Sequence, residues 1–304
     1  MFIATFIAAG RLKEEDIQHA CELLRFNGQV PTAKWLEEGT ACDIFYDGDP
    51  DFDGAVSRND GVAAGHMWLD DMFQGYDIVI QPAEGREKKL LVADMDSTMI
   101  TVECIDELAD YAGIKAQIAE VTERAMRGEL DFGAALDARV ALLKDLEESA
   151  IDRCLAERVK LMPGAKTLVR TMKARGATTI LVSGGFTRFA EPVGAEIGFD
   201  RVIANVLEIG QARLTGTVTK PIVDSATKET TLLGALAELG LPAEASMAVG
   251  DGANDLAMIR QAGLGVAYHA KPIVAAAAGA RIDHGDLTAL LYAQGIARSE
   301  WIDG

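Results

Sequence analysis

The sequence predicts an α/β fold in which a parallel sheet carries a small helical cap and follows a smaller α/β domain. Three observations predict it. After residue 88, short apolar runs recur, each ending in small or acidic residues, with helical patterns between them. Residues 105–161 read as helix throughout. The 304 residues are long for one average domain and comfortable for two, and the rhythm changes at the polar, turn-rich stretch Gln81-Pro-Ala-Glu-Gly-Arg-Glu-Lys-Lys89. The expected domains are therefore residues 1–87 and 88–304, with the cap at about 105–161.

Composition narrows the class. At 49% hydrophobic and 25% charged, the chain can bury a core that needs no disulfide or metal to hold it. A net charge of −18 excludes the basic footprint that nucleic acid or an anionic membrane requires. Residues 1–87 hold 17 acidic and 6 basic residues, so most of the excess acidity precedes the linker. No uncharged run approaches the ~20 residues of a membrane span. The apolar start Met1–Gly10 lacks the basic residues that open a signal peptide. Cys21, Cys42, Cys104 and Cys154 are widely spaced, as reduced thiols would be. The cytoplasm is the expected location.

Before the linker, Phe2–Ala8, Asp43–Asp47 and Tyr76–Gln81 alternate like strands. Glu14–Phe26 sets Ile17, Cys21 and Leu24 on one helical face, with Asn27-Gly28 closing it, and a second helix is expected at 62–73. The run Asp49-Pro-Asp51-Phe-Asp53-Gly54 with Asp60 mimics a calcium loop. It follows a strand, carries Pro50 and ends in Asp where a bidentate Glu is usual, so a solvated acidic loop is expected.

After the linker, strands are expected at Lys89–Ala93, Ala177–Val182, Ala245–Val249 and Leu264–Ala267. Runs apolar throughout, separated by helices, imply a parallel sheet covered on both faces. The cap has no strand in its pattern, and one of its helices is expected to start at Leu130-Asp131-Phe132.

Three polar clusters follow three of these strands: Asp94-Met-Asp96, Ser183-Gly184-Gly185 and Gly250-Asp251-Gly-Ala-Asn254-Asp255. In open parallel sheets, ligands bind beyond the carboxyl ends of the strands. Asp94 and Asp96 lie two apart in extended chain, point the same way and repel unless a cation joins them. The competing reading is a helix N-cap, with Ser97 or Thr98 as the cap. Asp251 adds a third carboxylate, and hard oxygen donors in that number suit a divalent cation such as magnesium. Ser183-Gly-Gly offers a hydroxyl and open N–H groups for an anion, or forms a plain turn. Lys228 falls in the first turn of a helix, where the dipole disfavours a cation: either a bound phosphate compensates, or the lysine is exposed and tolerates the small cost. In the third cluster, two glycines would let the chain turn sharply and present three oxygen-bearing side chains. His19, His66, His269 and His284 show no ligand spacing and receive no catalytic role.

The run Asp94-Met-Asp96-Ser-Thr, then Val182-Ser183-Gly-Gly-Phe186, Lys228 and Gly250-Asp251-Gly-Ala-Asn254-Asp255 resembles the haloacid-dehalogenase-like superfamily and, within it, the phosphoserine phosphatase family. The resemblance covers residues 88–292, motifs in order. It implies a Rossmann-like core, a small helical cap and hydrolysis of O-phospho-L-serine to L-serine and phosphate, the last step of serine synthesis. It implies that Asp94 becomes a phospho-aspartate and that Mg2+ is held by Asp94, the Asp96 carbonyl and Asp251. Asp96 would act in turn as acid and base. Ser183, the Gly184 N–H, Lys228 and Asn254 would bind the phosphoryl group, and Asp255 would orient the metal site. Glu103 would meet the substrate ammonium and Arg139 its carboxylate, with Met126 and Phe132 as apolar cap residues. The N-terminal region is similar, more loosely, to ACT-type regulatory domains. Whether it senses serine, mediates a homodimer or does neither is open.

Two other readings stand beside this one. Another small phosphorylated amino acid, such as phosphohomoserine, keeps the chemistry and changes the substrate. A phospho-acceptor module without turnover would also place Asp beside magnesium, but the helical cap and Asp96 favour hydrolysis.

Overall fold

A computed structural model describes residues 1–8, 11–25, 28–47, 69 and 72–303, excepting the side chain of Met126. The second N-terminal helix expected at 62–73 lies outside these residues apart from Leu69, Met72 and Phe73, and the acidic loop 49–60 lies outside them altogether.

The N-terminal strands β1 (Phe2–Ile7), β2 (Thr32–Glu37), β3 (Ala41–Tyr46) and β4 (Asp77–Pro82) form an antiparallel sheet in the order β2-β3-β1-β4. Helix α1 (Glu14–Leu23) covers one face, packing Ile17 and Ala20 against Ala4, Phe6, Cys42 and Ile44. Three acids in its first turn suit the positive end of the helix dipole. It stops at Leu23, short of the expected Phe26. Strand β2 was not legible, because its first three residues are exposed on the sheet edge.

The larger sheet is wholly parallel. It comprises β5 (Leu90–Ala93), β6 (Thr178–Phe186), β7 (Arg201–Asn205), β10 (Ser246–Gly250), β11 (Leu264–Tyr268) and β12 (Ala280–Ile282), in the order β12-β11-β10-β5-β6-β7. Alternation along each strand feeds two cores. Leu91, Ala93, Leu181, Met247 and Val249 enter one, while Leu90, Val92, Ile180, Val182 and Ala248 enter the other. That double burial is why these strands read as unbroken apolar runs. Strand order reverses between β5 and β10, so a crevice opens beyond their carboxyl ends.

The cap holds α2 (Cys104–Tyr111), α3 (Lys115–Met126), α4 (Phe132–Leu142) and α5 (Ser149–Glu157). Asp131 caps α4, its carboxylate accepting the Ala134 N–H. Returning chain pairs with outgoing chain at Ile100 and Leu161. The cap is also braced by a hairpin the sequence reading missed, β8 (Leu207–Gly210) with β9 (Arg213–Val218). Asp145 N–H donates to Leu214 O, and Leu214 N–H to Leu146 O. The core is completed by α6 (Ala165–Ala174), α7 (Thr187–Ile197), α8 (Ser225–Leu239), α9 (Leu256–Gln261), α10 (Pro272–Ala275) and α11 (Ala289–Ala293). Among the described residues, no helix is long and apolar enough to cross a membrane.

The linker is not a solvated tether. The second face of the N-terminal sheet is buried: Ile7, Leu36, Ala41 and Val79 share one core with Leu290, Leu291 and Tyr292. Within this apolar contact Arg86 grips Asp43 through two bonds of 2.6 and 2.8 Å. It also donates to Thr5 Oγ1 and to the carbonyls of Tyr292 and Ala293.

Candidate active site

Asp94 leaves β5 with its N–H bonded to Val249 O on β10, which fixes it at the switch point. No helix follows it. The N–H groups of Thr98, Met99 and Ile100 all donate to Met95 O in tight turns, and α2 begins only at Cys104. The Asp94–Asp96 pair is therefore not a helix cap. Ser97 holds a left-handed backbone (φ 56°) and donates its hydroxyl to Glu103 Oε1 at 2.7 Å. Such strain in a residue other than glycine persists only where its surroundings enforce it.

Beyond β10 the chain turns tightly, the Asp255 N–H closing on Gly252 O, and the glycines serve for space. Neither Gly250 nor Gly252 has a left-handed backbone. A Cβ on Gly250 would lie 2.4 Å from Asp255 Cγ, and one on Gly252 would lie 2.3 Å from Asn254 Oδ1. Asp255, fully buried, accepts the Gly252 N–H at 3.0 Å. Asp251 and Asn254 are half-buried beside it.

Lys228 stands in the first turn of α8 behind the N-cap Asp224. Its charge is met within the chain by two carboxylates. The ammonium, wholly buried, contacts Asp94 Oδ1 at 2.5 Å and Asp255 Oδ1 at 2.7 Å. Burial disfavours its charge, but these two carboxylates outweigh burial and hold its pKa above the usual range.

The Ser183–Gly185 segment stays within β6 and does not turn into a helix. Pairing with β7 jumps from Val182–Ile203 to Phe186–Asn205, so the segment bulges from the ladder. Ser183 Oγ accepts the Gly185 N–H at 2.8 Å. A Cβ on Gly185 would come 3.1 Å from Asp96 Oδ2 and press on it. The bulge is pinned by a residue the sequence reading missed. Asn205 donates to Gly184 O at 2.8 Å and accepts the Val223 N–H at 2.7 Å. It thus ties the Ser183 segment to the start of α8. Its signal was present, since Asn205 closes a short apolar run with a polar residue, as Asp94, Ser183 and Asp251 do.

The electrostatics of the crevice are lopsided. Oxygens of Asp94, Asp251 and Asp255 lie within 4.8 Å of one another, Asp96 is adjacent, and Lys228 supplies one positive charge among them. Burial, then Asp255, raises the Asp94 pKa well above the carboxylate range, against the pull of Lys228. Asp251 is pushed up to about 6 by burial and then by Asp255 and Glu103. Asp96 is pushed up to about 7, chiefly by burial and then by Glu103, while Cys104 opposes the rise. Its Oδ1 is shut from solvent with no hydrogen-bond partner. A buried acidic cluster of this composition fits a hard divalent cation, whose charge would favour the ionised form of the carboxylates that hold it, Asp94 and Asp251.

The cap supplies the remaining candidates. Phe132, first residue of α4, sets its ring over Gly184, where a Cβ would come within 3.1 Å. Arg139, on the same helix, is half-buried and donates through Nε to Ala135 O. Burial lowers its pKa, while the negative charges of Asp106, Glu103 and Asp96 oppose that. Glu103 is exposed at the N-cap of α2. Met126 ends α3, and its side chain lies outside the description.

With fold and crevice in view, the chain's relatives can be set beside it. It belongs to the haloacid dehalogenase-like hydrolase family, whose pattern matches residues 91–260. A phosphoserine phosphatase of Streptomyces coelicolor is 47% identical over 228 residues, covering 74% of this chain and 55% of that protein. The matched region spans about half of that relative and of one from Mycobacterium tuberculosis. A haloacid dehalogenase family hydrolase from Salmonella enterica serovar Typhi superposes with a TM-score of 0.83 at 30% identity, covering 98% of this chain and 99% of that one. A probable phosphoserine phosphatase from Vibrio cholerae superposes at 0.76 and 32%, covering 98% and 88%. Both structural matches include the N-terminal sheet.

Asn205→Ala would strand the buried Val223 N–H and the Gly184 carbonyl. Denaturant unfolding should show a loss of about 1–3 kcal/mol, with impaired turnover because the Ser183 bulge loosens.

Proposed function

We propose that the protein hydrolyses O-phospho-L-serine to L-serine and phosphate through a phospho-aspartate on Asp94. The observation that carries this reading is the pairing of Asp94, clamped by Lys228, with Asp96, whose buried Oδ1 has no partner and whose proton is held to about pH 7. One carboxylate is poised to attack and the other to carry a proton, the division that two-step displacement needs. The names borne by the Streptomyces and Vibrio relatives support the substrate.

In this mechanism Asp94 attacks phosphorus while Asp96 protonates the departing serine oxygen. Asp96, now ionised, then takes a proton from the water that cleaves the acyl phosphate. Lys228, the Ser183 hydroxyl, the Gly184 N–H and Asn254 neutralise and orient the phosphoryl oxygens. Asp94, the Asp96 carbonyl and Asp251 would hold magnesium, which when bound offsets the negative charge shared by nucleophile and phosphate. Asp255 keeps Lys228 in place and secures the Gly252 N–H. Arg139, which no carboxylate pairs with among the described residues, would grip the substrate carboxylate, and Glu103 would meet its ammonium. Phe132 and Met126 would exclude water once the cap is closed. The cytoplasm is the location this reading proposes. A homodimer would form through the N-terminal domain.

Asp94→Asn should abolish magnesium-dependent phosphate release from phosphoserine, by about 1,000-fold or more. Arg139→Ala should raise KM for phosphoserine by roughly 30- to 150-fold, the equivalent of about 2–3 kcal/mol in charge-assisted bonds. It should leave p-nitrophenyl phosphate nearly unaffected; equal losses on both substrates would sink the amino-acid assignment. The raised Asp251 pKa means that protons compete with the metal at higher pH than for an ordinary aspartate. Calorimetry should therefore show magnesium affinity falling between pH 7.5 and 5.5, by roughly fourfold from a single group titrating near 6.

A further inference from the structure

Asp77 is an N-terminal-domain residue with no part in the site, yet its contacts lead to the metal loop. It is 3% exposed and opens β4. Its partners are three successive backbone N–H groups of the catalytic domain, just beyond β12. Oδ1 accepts from Asp283 at 2.7 Å and His284 at 3.1 Å, and Oδ2 accepts from Gly285 at 2.7 Å. A Cβ on Gly285 would stand 2.9 Å from that Oδ2, so the glycine admits the carboxylate. Consecutive N–H groups closing on one anion make a nest, a strong and directional grip.

The gripped loop in turn holds His269. The Gly285 carbonyl can only accept, so His269 Nε2 carries the proton of their 3.0 Å bond. His269 N–H donates to Ile282 O at 2.8 Å. These bonds matter because His269 has a left-handed backbone, φ 43°, at the carboxyl end of β11. That conformation is unfavourable for any residue with a Cβ and has to be enforced from outside. It turns the chain so that the Lys271 N–H reaches the Asp251 carbonyl at 3.1 Å. Asp251 is thus held from one side by β10 and from the other by a turn whose geometry is secured across the domain boundary.

We propose that Asp77 is a positioning residue for the metal site: through the 283–285 loop and His269 it fixes the backbone of Asp251, so the seating of the N-terminal domain sets the affinity for the divalent cation. This rests on the reading of Asp251 as a magnesium ligand given above. Coupling of this kind is reciprocal, so magnesium should also slow hydrogen exchange at residues 283–285.

The test uses the full chain and magnesium alone, titrated by calorimetry without substrate. Asp77→Asn turns an amide N–H2 toward one of the three donors, and His269→Ala removes the ring contact while keeping the strained backbone. Each should weaken magnesium binding about 3- to 10-fold. The double variant should be no weaker than the weaker single one, because both act along one route. At saturating magnesium kcat should stay near that of the parent, which a general loss of folding would not allow. The control is Glu37→Gln, which loses a charged acceptor for the Tyr292 hydroxyl in the same interface but away from this route. It should lower the melting temperature and leave magnesium affinity within twofold. Unchanged affinity in both Asp77→Asn and His269→Ala overturns the inference, as does equal weakening by Glu37→Gln. Should Asp77→Asn fail to fold, His269→Ala decides the matter. A parent protein that binds no magnesium overturns the metal reading, and this inference with it; a parent that binds while the variants bind equally well overturns this inference alone.

Discussion

Too many carboxylates meet at one point of the sheet, and the rest of the molecule is arranged around that excess. Asp94, Asp96, Asp251 and Asp255 converge at the switch point, with the buried Lys228 ammonium shared between two of them. Like charges in a buried crevice are tolerated only if some are protonated or a cation joins them. The raised pKa values of Asp94, Asp96 and Asp251 record the first condition. A phosphomonoester bound with a divalent cation, as proposed above, would provide the second. On the proposed reading, the same imbalance would favour a ligand that brings both an anion to Lys228 and a cation to the aspartates.

Precision at this point comes from absent atoms as much as from present ones. Gly250 and Gly252 make room for Asp255 and Asn254, Gly185 for Asp96, and Gly184 for the Phe132 ring. A methyl group at any of these positions would displace a neighbour that bears on the chemistry. Asn205 then locks the bulged Ser183 segment to the helix that carries Lys228. Two clusters far apart in sequence thus keep a fixed separation.

The strands that bear the site were legible because each is buried on both faces and ends abruptly in a polar residue. Leu90–Ala93 and Ser246–Gly250 are of this kind. Strands with exposed faces or few residues left no such mark: β2 lies open at an edge, and β12 is three residues long. The β9 pattern Arg213-Leu-Thr-Gly-Thr-Val218 did alternate, and its burial alternates with it, so that omission was avoidable. Local pattern could show that Asp94, Asp96 and Asp251 converge, since the strand-end rule places them on one edge. It could not show Lys228 between Asp94 and Asp255, nor Arg86 and Asp77 at the domain boundary. Those contacts join residues that only the folded chain brings together, and their sequence surroundings look like ordinary surface charge.

The linker region bears on how the molecule comes apart. Arg86, partly buried, and the buried Asp43 pair beside α11, and Ile7, Leu36 and Val79 lie in the same core as Leu290 and Leu291 of that helix. Unfolding either domain would uncover apolar surface on the other and leave a charge without its partner in a place water reaches poorly. Cooperativity follows from such mutual dependence, so heat or denaturant should meet one unit and a single transition, not two domains melting in turn. An excised N-terminal domain would carry that bare face into solution, and its behaviour there would describe an exposed interface more than the domain as it sits in the protein.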